Sequence, residues 1–389
     1  MFPYLSDLTS YLFGFSFSFP LPMFGFMVAL AFIAANYFFV LEMKRKEQEG
    51  LLFPTIIKVM KGEKANISDL AGNGFFGFVL GFKIIGLILN YSDIISVKSG
   101  LPGYILSLEG NFFGGIIGAA LFAYLRYRNA EKHRLPEPKE VEETVRPYQY
   151  VGTMTFIAAI GGILGAKIFD AVEDLDRLFA DPMNVIFSAS GLSIYGGLII
   201  GGSSVLVYAH FKKLKLIHVI DSCMPGLMLA YGVGRIGCQL AGDGDWGMPN
   251  DAPMPELLSF LPHWMWAFDY PGNINGVVLL DDFHRMGLES ITGNAWPTPF
   301  YESVMAILIF GILWAFRKKM KVAGMMTSAY LIFNGVERFF IEKIRINPDY
   351  NLFGLKATQA EIIAVIFFFV GIFGLWYVLK VEKAKNKLA

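Results

Sequence analysis

The chain has 389 residues, of which 54% are hydrophobic and 17% are charged, and its formal net charge is zero. Charged residues make up about a quarter of an average soluble domain, so this composition excludes an ordinary soluble protein and predicts several membrane spans. Its two cysteines, Cys223 and Cys238, lie in or next to one apolar segment, which argues against a disulfide framework. The composition gives no sign of a nucleic-acid partner.

Nine apolar segments have approximately the length that a helix needs to cross a bilayer. We therefore predict an all-α polytopic membrane protein with about nine transmembrane helices. The residues before the first segment lack a basic region, so we expect no cleavable signal peptide. The predicted segments lie roughly at 19–41, 73–90, 111–128, 151–170, 192–211, 216–238, 299–316, 324–341 and 358–380.

Basic residues concentrate after the odd-numbered segments. Most of the 33 lysines and arginines lie there, as in residues 44–46 after the first segment and 317–321 after the seventh. Because cytoplasmic loops are enriched in Lys and Arg, we predict an N-terminus outside and a C-terminus in the cytoplasm. The long segment after the sixth span, residues 239–297 and here called the head, is then external. Four tryptophans in the head suit a membrane interface: Trp246, Trp264, Trp266 and Trp296.

Two predicted helix pairs, about 74–128 and 155–211, resemble each other. The run Gly81-Phe-Lys-Ile matches Gly165-Ala-Lys-Ile, and a second glycine-rich match joins residues 110–118 to residues 191–201. We interpret this as a duplication, with shared membrane composition as the alternative. The second copy has Tyr195 and Asp170 where the first has Phe113 and Gly86, so if only one copy is active we expect it to be the second.

The stretch 231–247 has the composition of a ligand site. Glycine occurs at positions 232, 234, 237, 242, 244 and 247, beside Arg235, Asp243 and Asp245. Glycines let the backbone approach a ligand closely, and an arginine with exposed amides at a lipid interface suggests a site for a phosphate headgroup. The alternative is a glycine-rich helix end with an arginine whose charged head reaches water.

The eighth predicted span carries polar residues on one face. Asn334, Arg338, Glu342 and Arg345 are spaced by four, four and three residues, so they form one stripe along a helix. Ionisable groups inside spans are costly and mark functional sites, and we assign such a role to Arg338. For Glu342 the alternative is a structural ion pair with Arg338, with Arg345 anchoring the helix end.

Two tyrosines, each beside other candidate residues, are the last candidates for a functional site that the residue pattern indicates. Tyr301 and Glu302 open the seventh span after two prolines, where a carboxylate lies near the positive end of the helix dipole. Tyr301 is either an interfacial aromatic or a hydrogen-bond donor to the site. Tyr195 precedes Gly196 and Gly197, which allow a helix or an acyl chain to pack against the tyrosine, although a purely structural role is the alternative.

The sequence contains no pattern typical of a metal site, a nucleophile triad or a nucleotide-binding site. The five histidines form no cluster with the spacing of metal ligands, and there is no P-loop, nucleophile triad or dinucleotide fingerprint. We therefore predict no metal and no cofactor.

Four motifs, in this order along the chain, resemble those of the prolipoprotein diacylglyceryl transferase family. Residues 193–201 resemble its Ser-x-His-Gly-Gly-Leu-Ile-Gly, and residues 234–247 resemble Gly-Arg-x-Gly-Asn-x-x-x-Gly-Glu followed by Trp-Gly. Residues 297–302 resemble Pro-Ser-Gln-Leu-Tyr-Glu, and residues 338–345 resemble Arg-x-x-x-Glu-x-x-Arg. The resemblance covers about 151–380 well and the first span loosely, and it reaches 50–130 only through the repeat.

This resemblance implies transfer of a diacylglyceryl group from phosphatidylglycerol to the lipobox cysteine of a preprolipoprotein, with formation of a thioether and release of glycerol 1-phosphate. It implies that Arg235 and Arg338 hold the phosphate, and that Asp243, Glu302 and Glu342 orient the arginines or the glycerol hydroxyls. The implied location is a bacterial inner membrane, and we expect a monomer. The candidate catalytic residues are Arg235, Arg338, Tyr195 and Asp243, and the candidate substrate-binding residues are Gly196, Gly197, Cys238, Gly242, Gly247, Tyr301, Glu302, Glu342 and Arg345.

Three substitutions depart from the family's pattern. Tyr195 stands where the family often has histidine, and an unperturbed tyrosine has a pKa of about 10 against about 6.5 for histidine. Cys238 replaces an asparagine, and Phe24 stands where the family has tyrosine. No general base is therefore assigned, and two other functions stay open: a lipid or anion transporter, and an inactive homologue that binds lipoproteins. A transporter would favour matched sites in both repeat copies, and the first copy lacks the polar residues of the second.

These interpretations divide the chain into five parts. Residues 1–72 hold the first transmembrane helix and a cytoplasmic loop, and 73–128 hold an extra helix pair that resembles 155–211. Residues 129–150 form a cytoplasmic linker. The catalytic transmembrane core covers 151–380 and includes the head, and residues 381–389 form a basic cytoplasmic tail.

Overall fold

The structure is a computed structural model that describes residues 1–14, 21–96, 104–105, 107, 109–187, 193–352 and 355–388. Over these residues, each of the nine predicted segments is helical, which confirms the predicted all-α polytopic fold. In chain order the helices are α1 (Leu5–Phe13), α2 (Met23–Gln48), α3 (Ile67–Leu89), α4 (Tyr91–Ser96), α5 (Phe112–Lys132), α6 (Val151–Glu173), α7 (Leu175–Ala180), α8 (Pro182–Phe187), α9 (Ile194–Phe211), α10 (Leu216–Ala241), α11 (Leu279–Arg285), α12 (Thr298–Phe316), α13 (Met325–Glu342) and α14 (Gln359–Leu388).

Seven of the described helices are long and apolar enough to cross a membrane, which makes the chain a multi-pass membrane protein. They are α2, α3, α6 with the turn before it, α9, α10, α12 and most of α14. The other two long helices, α5 and α13, have more charge. The last two turns of α5 carry arginine and lysine, and α13 carries Glu337, Arg338 and Glu342. In α13 these charges belong to the candidate site.

Two short antiparallel sheets accompany the helices. Strand β1 (Thr55–Lys61) pairs with β2 (Lys139–Val145), so that Thr55 lies opposite Val145, and β3 (Asp349–Leu352) pairs with β4 (Leu355–Thr358). The segment 129–150, interpreted from the sequence as a linker, thus contains the end of α5, strand β2 and a turn of 3-10 helix at Pro147–Tyr150. Lysines of β1 form ion pairs with glutamates of β2, as in Lys58 with Glu140 at 3.3 Å.

The chain forms two compact units, Met1–Leu52 with Leu214–Ala389, and Phe53–Lys213. The second unit contains two tightly packed helix pairs, α3 with α5 and α6 with α9. A side chain at Gly81 would collide with the carbonyl oxygen of Gly114, and one at Gly165 would collide with that of Gly196. These glycines occupy matching positions in the internal repeat. Small residues allow such close helix crossings, and the shared crossing is what a duplication predicts.

The first unit holds a bundle in which α10 packs against α2, α12 and α13. Buried side chains of α10, α12 and α13 form its apolar core: Met228, Ala306, Ile309, Leu313, Met326 and Ala329. Their burial fixes the three helices that carry the candidate site.

The head is an ordered part of the first unit with a small apolar core. Trp246, Tyr270, Leu279, Phe283 and Ala295 are buried together there. The head also joins the ends of three helices, since the Gly247 amide donates to the carbonyl of Trp296 at 2.9 Å, and the Met248 amide donates to that of Ile344 at 2.8 Å. A side chain at position 247 would collide with the Ile344 carbonyl, so glycine is required for this contact. It brings the segment after α13 beside the end of α10.

Candidate active site

Arg235 is buried near the end of α10, with 7% of its surface exposed. Its Nε lies 2.5 Å from a carboxylate oxygen of Glu302, and its Nη1 donates to Asp245. Nη1 also lies 3.7 Å from the sulfur of Cys238. The structure therefore pairs Arg235 with carboxylates inside the protein. This differs from the alternative interpretation, in which the charged group of Arg235 is exposed to water at the end of the helix.

Glu302 is the carboxylate on which this site converges. It is fully buried in the first turns of α12, where the helix dipole favours a negative charge. Besides Arg235, it accepts hydrogen bonds from Arg345 Nη1 at 2.8 Å and from the Tyr231 hydroxyl at 2.6 Å. Arg338 approaches it to 3.6 Å. One buried carboxylate thus faces three guanidinium groups, an arrangement that compensates the cost of burying its charge.

A second carboxylate closes a ring of charges. Arg345 Nη2 donates to Asp245 Oδ1 at 2.6 Å while its Nη1 holds Glu302. Positive and negative side chains therefore alternate around a closed ring of four ion pairs. This group, here called the charged ring, consists of Arg235, Glu302, Arg345 and Asp245. The Asp245 backbone carbonyl accepts a hydrogen bond from Thr298 Oγ1 at 2.7 Å, which fixes the loop to the start of α12. The structure gives Arg345 a place inside the site rather than only at the end of a helix.

Arg338 differs from the two arginines of the charged ring. Its side chain is 25% exposed, against 8% for Arg235 and 10% for Arg345. Its ion pairs are long, at 3.6 Å to Glu302 and 3.4 Å to Glu342. Arg338 consequently has the guanidinium best able to turn its donors toward an incoming anion.

Glu342 contacts Arg338, as the helical spacing predicted, but it has other partners too. Its Oε1 accepts hydrogen bonds from Thr358 Oγ1 at 2.8 Å and from Asn347 Nδ2. Glu342 therefore ties the end of α13 to the start of α14 and holds Arg338 from one side.

The motif pointed to Asp243, whereas the structure pairs Asp245 with the arginines. Burial raises the pKa of Asp243 above its ordinary value. Burial alone would also raise the pKa of Asp245, but Arg235 and Arg345 hold it below its usual value. Cys238, Asp243 and Asp245 offer ligand atoms within 4.8 Å of one another. Arg235 bonds to two members of this group and supplies positive charge there.

Other predicted residues have clear structural contacts. The hydroxyl of Tyr301 donates to the carbonyl of Met265 at 2.7 Å, which ties α12 to the head. Gly242 ends α10 in the left-handed conformation, with φ of 63°, a backbone geometry that favours glycine. Gly196 and Gly197 lie in the second unit, where they allow α9 to approach α6. Tyr195 lies beside them in the first turn of α9.

Tyr231 and Glu337 are two members of the cluster that the sequence analysis did not select. The Tyr231 hydroxyl lies 2.6 Å from Glu302 and 3.4 Å from Glu337. Glu337 is 3% exposed. It precedes Arg338 by one residue and so lies off the polar stripe of α13. The rule that ionisable residues inside spans are functional candidates was the signal that could have identified it.

A comparison with known families shows to which of them this chain belongs. Residues 130–377 match the family model described as prolipoprotein diacylglyceryl transferase, which is more than half of the chain. The chain belongs to this family. The matched range contains Tyr195, the charged ring and Arg338, and it begins in the last turn of α5.

Individual relatives carry the name phosphatidylglycerol–prolipoprotein diacylglyceryl transferase. The protein from Clostridium tetani is 31% identical over 225 residues, which cover 58% of this chain and 79% of the relative. The protein from Leptospira interrogans is 23% identical over 299 residues, covering 64% of this chain and 86% of the relative. The protein from Streptococcus uberis is 27% identical over 261 residues, which cover 66% of this chain and 85% of the relative. The family predicted from four motifs is confirmed.

Proposed function

We propose that this chain transfers a diacylglyceryl group from phosphatidylglycerol to the lipobox cysteine thiol of preprolipoproteins, forming a thioether and releasing glycerol 1-phosphate. One observation carries the assignment to this site: three arginines converge on the buried carboxylate of Glu302 in a chain of this family. The leaving group is a phosphate ester, so stabilisation of anionic charge is the main catalytic requirement.

Arg338 is the arginine that contacts the lipid phosphate in this proposal. Its guanidinium is the most exposed of the three, and its two ion pairs are long enough to be exchanged for shorter hydrogen bonds to phosphate oxygens. As the thiol sulfur bonds to the glycerol carbon, the bond from that carbon to the phosphate oxygen breaks. Arg338 then stabilises the negative charge that collects on the departing phosphate.

The charged ring orients this centre and contributes further positive potential. Glu302 and Asp245 each bridge Arg235 and Arg345, so the two buried guanidinium groups are fixed before substrate arrives. Preorganised charges cost no reorganisation during the reaction. In this scheme Arg235 supplies the positive charge beside Cys238, Asp243 and Asp245 without a metal or cofactor. We place the protein, as a monomer, in a bacterial inner membrane with its N-terminus outside.

Purified protein, phosphatidylglycerol and a synthetic lipobox peptide test the proposal directly. We expect mass spectrometry to show a peptide that has gained one diacylglyceryl group on its cysteine, together with glycerol 1-phosphate. A peptide with serine in place of cysteine, and phosphatidylethanolamine in place of phosphatidylglycerol, are the matched controls. Absence of the thioether, under conditions in which the Clostridium tetani relative forms it, would contradict the proposal. Lipid movement across vesicles without transfer would favour the transporter instead.

A further inference from the structure

Glu337 is a buried carboxylate that the transfer scheme above does not use. It is 3% exposed on α13, and no ion pair to it is found among the described residues. Its Oε2 likewise has no hydrogen-bond partner in the described part of the chain. By contrast, the carboxylates of Asp245, Glu302 and Glu342 each contact at least one arginine. Unlike these three carboxylates, Glu337 has unused bonding capacity and no arginine paired with it among the described residues.

The Tyr231 hydroxyl connects Glu337 to the rest of the site. It donates to Glu302 at 2.6 Å, and its oxygen lies 3.4 Å from Oε1 of Glu337. Tyr231 itself is half-buried on α10, whereas Glu337 is almost fully buried. A hydroxyl has one proton and two acceptor lone pairs. It can therefore receive a proton from one neighbour while giving its own proton to another.

The transfer reaction requires a group that accepts the proton of the lipobox thiol. A carboxylate between guanidinium groups is a weak base, because the cations favour its charged form. This weakens the case for Asp245 in that role, and the oxygens of Glu302 are already bound to arginines and to Tyr231. A buried carboxylate without a counter-ion is a stronger base and a better match for a thiol. Tyr195 stands where the family often has histidine, and it is a phenol with a weakly basic oxygen.

We propose that Glu337 accepts the proton of the lipobox thiol through the hydroxyl of Tyr231, a role that rests on the proposed transferase function. The Tyr231 hydroxyl turns from Glu302 toward Glu337 and its original proton moves to Oε1 of Glu337. At the same time the sulfur–hydrogen bond breaks and the thiol proton joins the Tyr231 oxygen. The sulfur electron pair forms the bond to the glycerol carbon, and glycerol phosphate leaves with the electrons of the broken carbon–oxygen bond. Tyr231 ends the step as a neutral phenol, and Glu337 holds one proton, which it later releases.

Several titratable or charged groups face Glu337 and affect how readily it takes up a proton. Tyr231 and Arg235 come from α10, Glu302 from α12, and Arg338 and Tyr330 from α13 itself. The nearby Glu302 disfavours a second negative charge, whereas the two arginines favour it. Because the effect of Glu302 opposes the effect of the two arginines, Glu337 can gain and lose a proton during turnover.

The Glu337→Gln variant removes the proton acceptor and keeps the side-chain shape. General-base catalysis contributes roughly 10²–10⁴-fold, so we expect kcat near pH 7 to fall by about 100-fold, with KM for phosphatidylglycerol changed by less than about threefold. A thiol ionises by itself near pH 8.5, so the deficit relative to the wild type should shrink to less than about tenfold at pH 9. A purely structural role would leave the deficit independent of pH.

Tyr231→Phe should show the same deficit at neutral pH and the same recovery at high pH, because it breaks the path to Glu337. Glu256→Gln and Tyr377→Phe are matched control changes at exposed positions, and both should retain wild-type rates. If Glu337→Gln does not fold by size-exclusion chromatography, Tyr231→Phe decides the outcome. Full activity, or a deficit that persists unchanged at high pH, would overturn the relay. Inactivity of the wild type would instead count against the proposed transferase.

Discussion

Two of the places where the first unit buries charge differ in a way that separates structure from function. In one place, Asp221 of α10 accepts hydrogen bonds from the Gly324 amide at 2.8 Å and from the Thr327 amide and hydroxyl at 3.0 and 2.6 Å. Lys46 lies 3.4 Å away. Asp221 thus caps the start of α13 from a neighbouring helix, and this group is here called the helix cap. The other place is the charged ring with Arg338.

Both clusters lie on the same two helices. Asp221 and Arg235 are 14 residues apart on α10, as are Gly324 and Arg338 along α13, so each separation is about 21 Å. In the helix cap, both oxygens of the carboxylate are satisfied by donors whose geometry is set by the helix start. At the other end, Arg338 has only long ion pairs and Glu337 has an unused oxygen. Burial of charge is common to both, but both oxygens of Asp221 have hydrogen-bond donors, whereas Glu337 has an oxygen without one.

The largest effect is expected from removing the carboxylate on which the arginines converge. Glu302→Gln leaves Asp245 as the carboxylate that Arg235 and Arg345 still share, so we expect a loss of about 3–5 kcal/mol in stability, as when other buried ion pairs are broken. Transfer activity should disappear as well. Thermal unfolding in detergent and the peptide-transfer assay measure the two effects. A variant as stable as the wild type would show that the charged ring contributes little to the fold.

Arg338→Ala separates catalysis from stability at the same cluster. Removing one group that stabilises transition-state charge costs about 10²–10³-fold in rate, so we expect transfer to fall at least about 100-fold while the protein stays folded. Arg285→Ala, at an exposed arginine of the head, is the control and should leave the rate unchanged. Turnover near the wild-type level in Arg338→Ala would remove this arginine from the site.

A substitution in the helix cap should lower stability and leave the transfer activity nearly unchanged. Asp221→Asn replaces a charged acceptor by an amide that cannot accept from all of its present donors, and a buried unsatisfied group costs about 1–3 kcal/mol. We expect a lower unfolding temperature with nearly normal transfer per folded molecule. A loss of activity much larger than the loss of folded protein would show that the helix cap is coupled to the reaction.

The smallest effect is expected at Tyr195. If Glu337 accepts the proton, Tyr195→Phe should lower the transfer rate by less than about tenfold, well below the effect of losing a general base. The assay should compare this variant with Tyr231→Phe in the same preparation. A greater loss for Tyr195→Phe than for Tyr231→Phe would contradict the assignment of the proton relay to Tyr231.

The sequence was sufficient for the nine long helices, because hydropathy over the length of a span is a strong signal, but it did not reveal the short helices such as α1 and α11. It did not reveal β1 and β2, whose side chains are largely exposed and partly charged, so an alternation between a buried and an exposed face is absent. Two small antiparallel sheets of this kind depend on pairing with a distant segment rather than on local pattern.

The site was predicted less completely than the fold. Motif and helical spacing selected Arg235, Arg338, Glu302 and Glu342. They selected Asp243 rather than Asp245, because the position of each carboxylate depends on a loop in which Gly242 and Gly244 have φ values of 63° and 101°. Glu337 was missed since its partner, Tyr231, lies on another helix more than 100 residues earlier.

A structure determined with bound phosphatidylglycerol tests the central claim most directly. We predict that the lipid phosphate lies within hydrogen-bonding distance of the Arg338 guanidinium, on the side of α13 that faces Glu302, and that the Arg338–Glu302 distance of 3.6 Å changes as the phosphate binds. A headgroup bound at another part of the chain, with Arg338 still paired to Glu302 and Glu342, would contradict the assignment of this cluster as the active site.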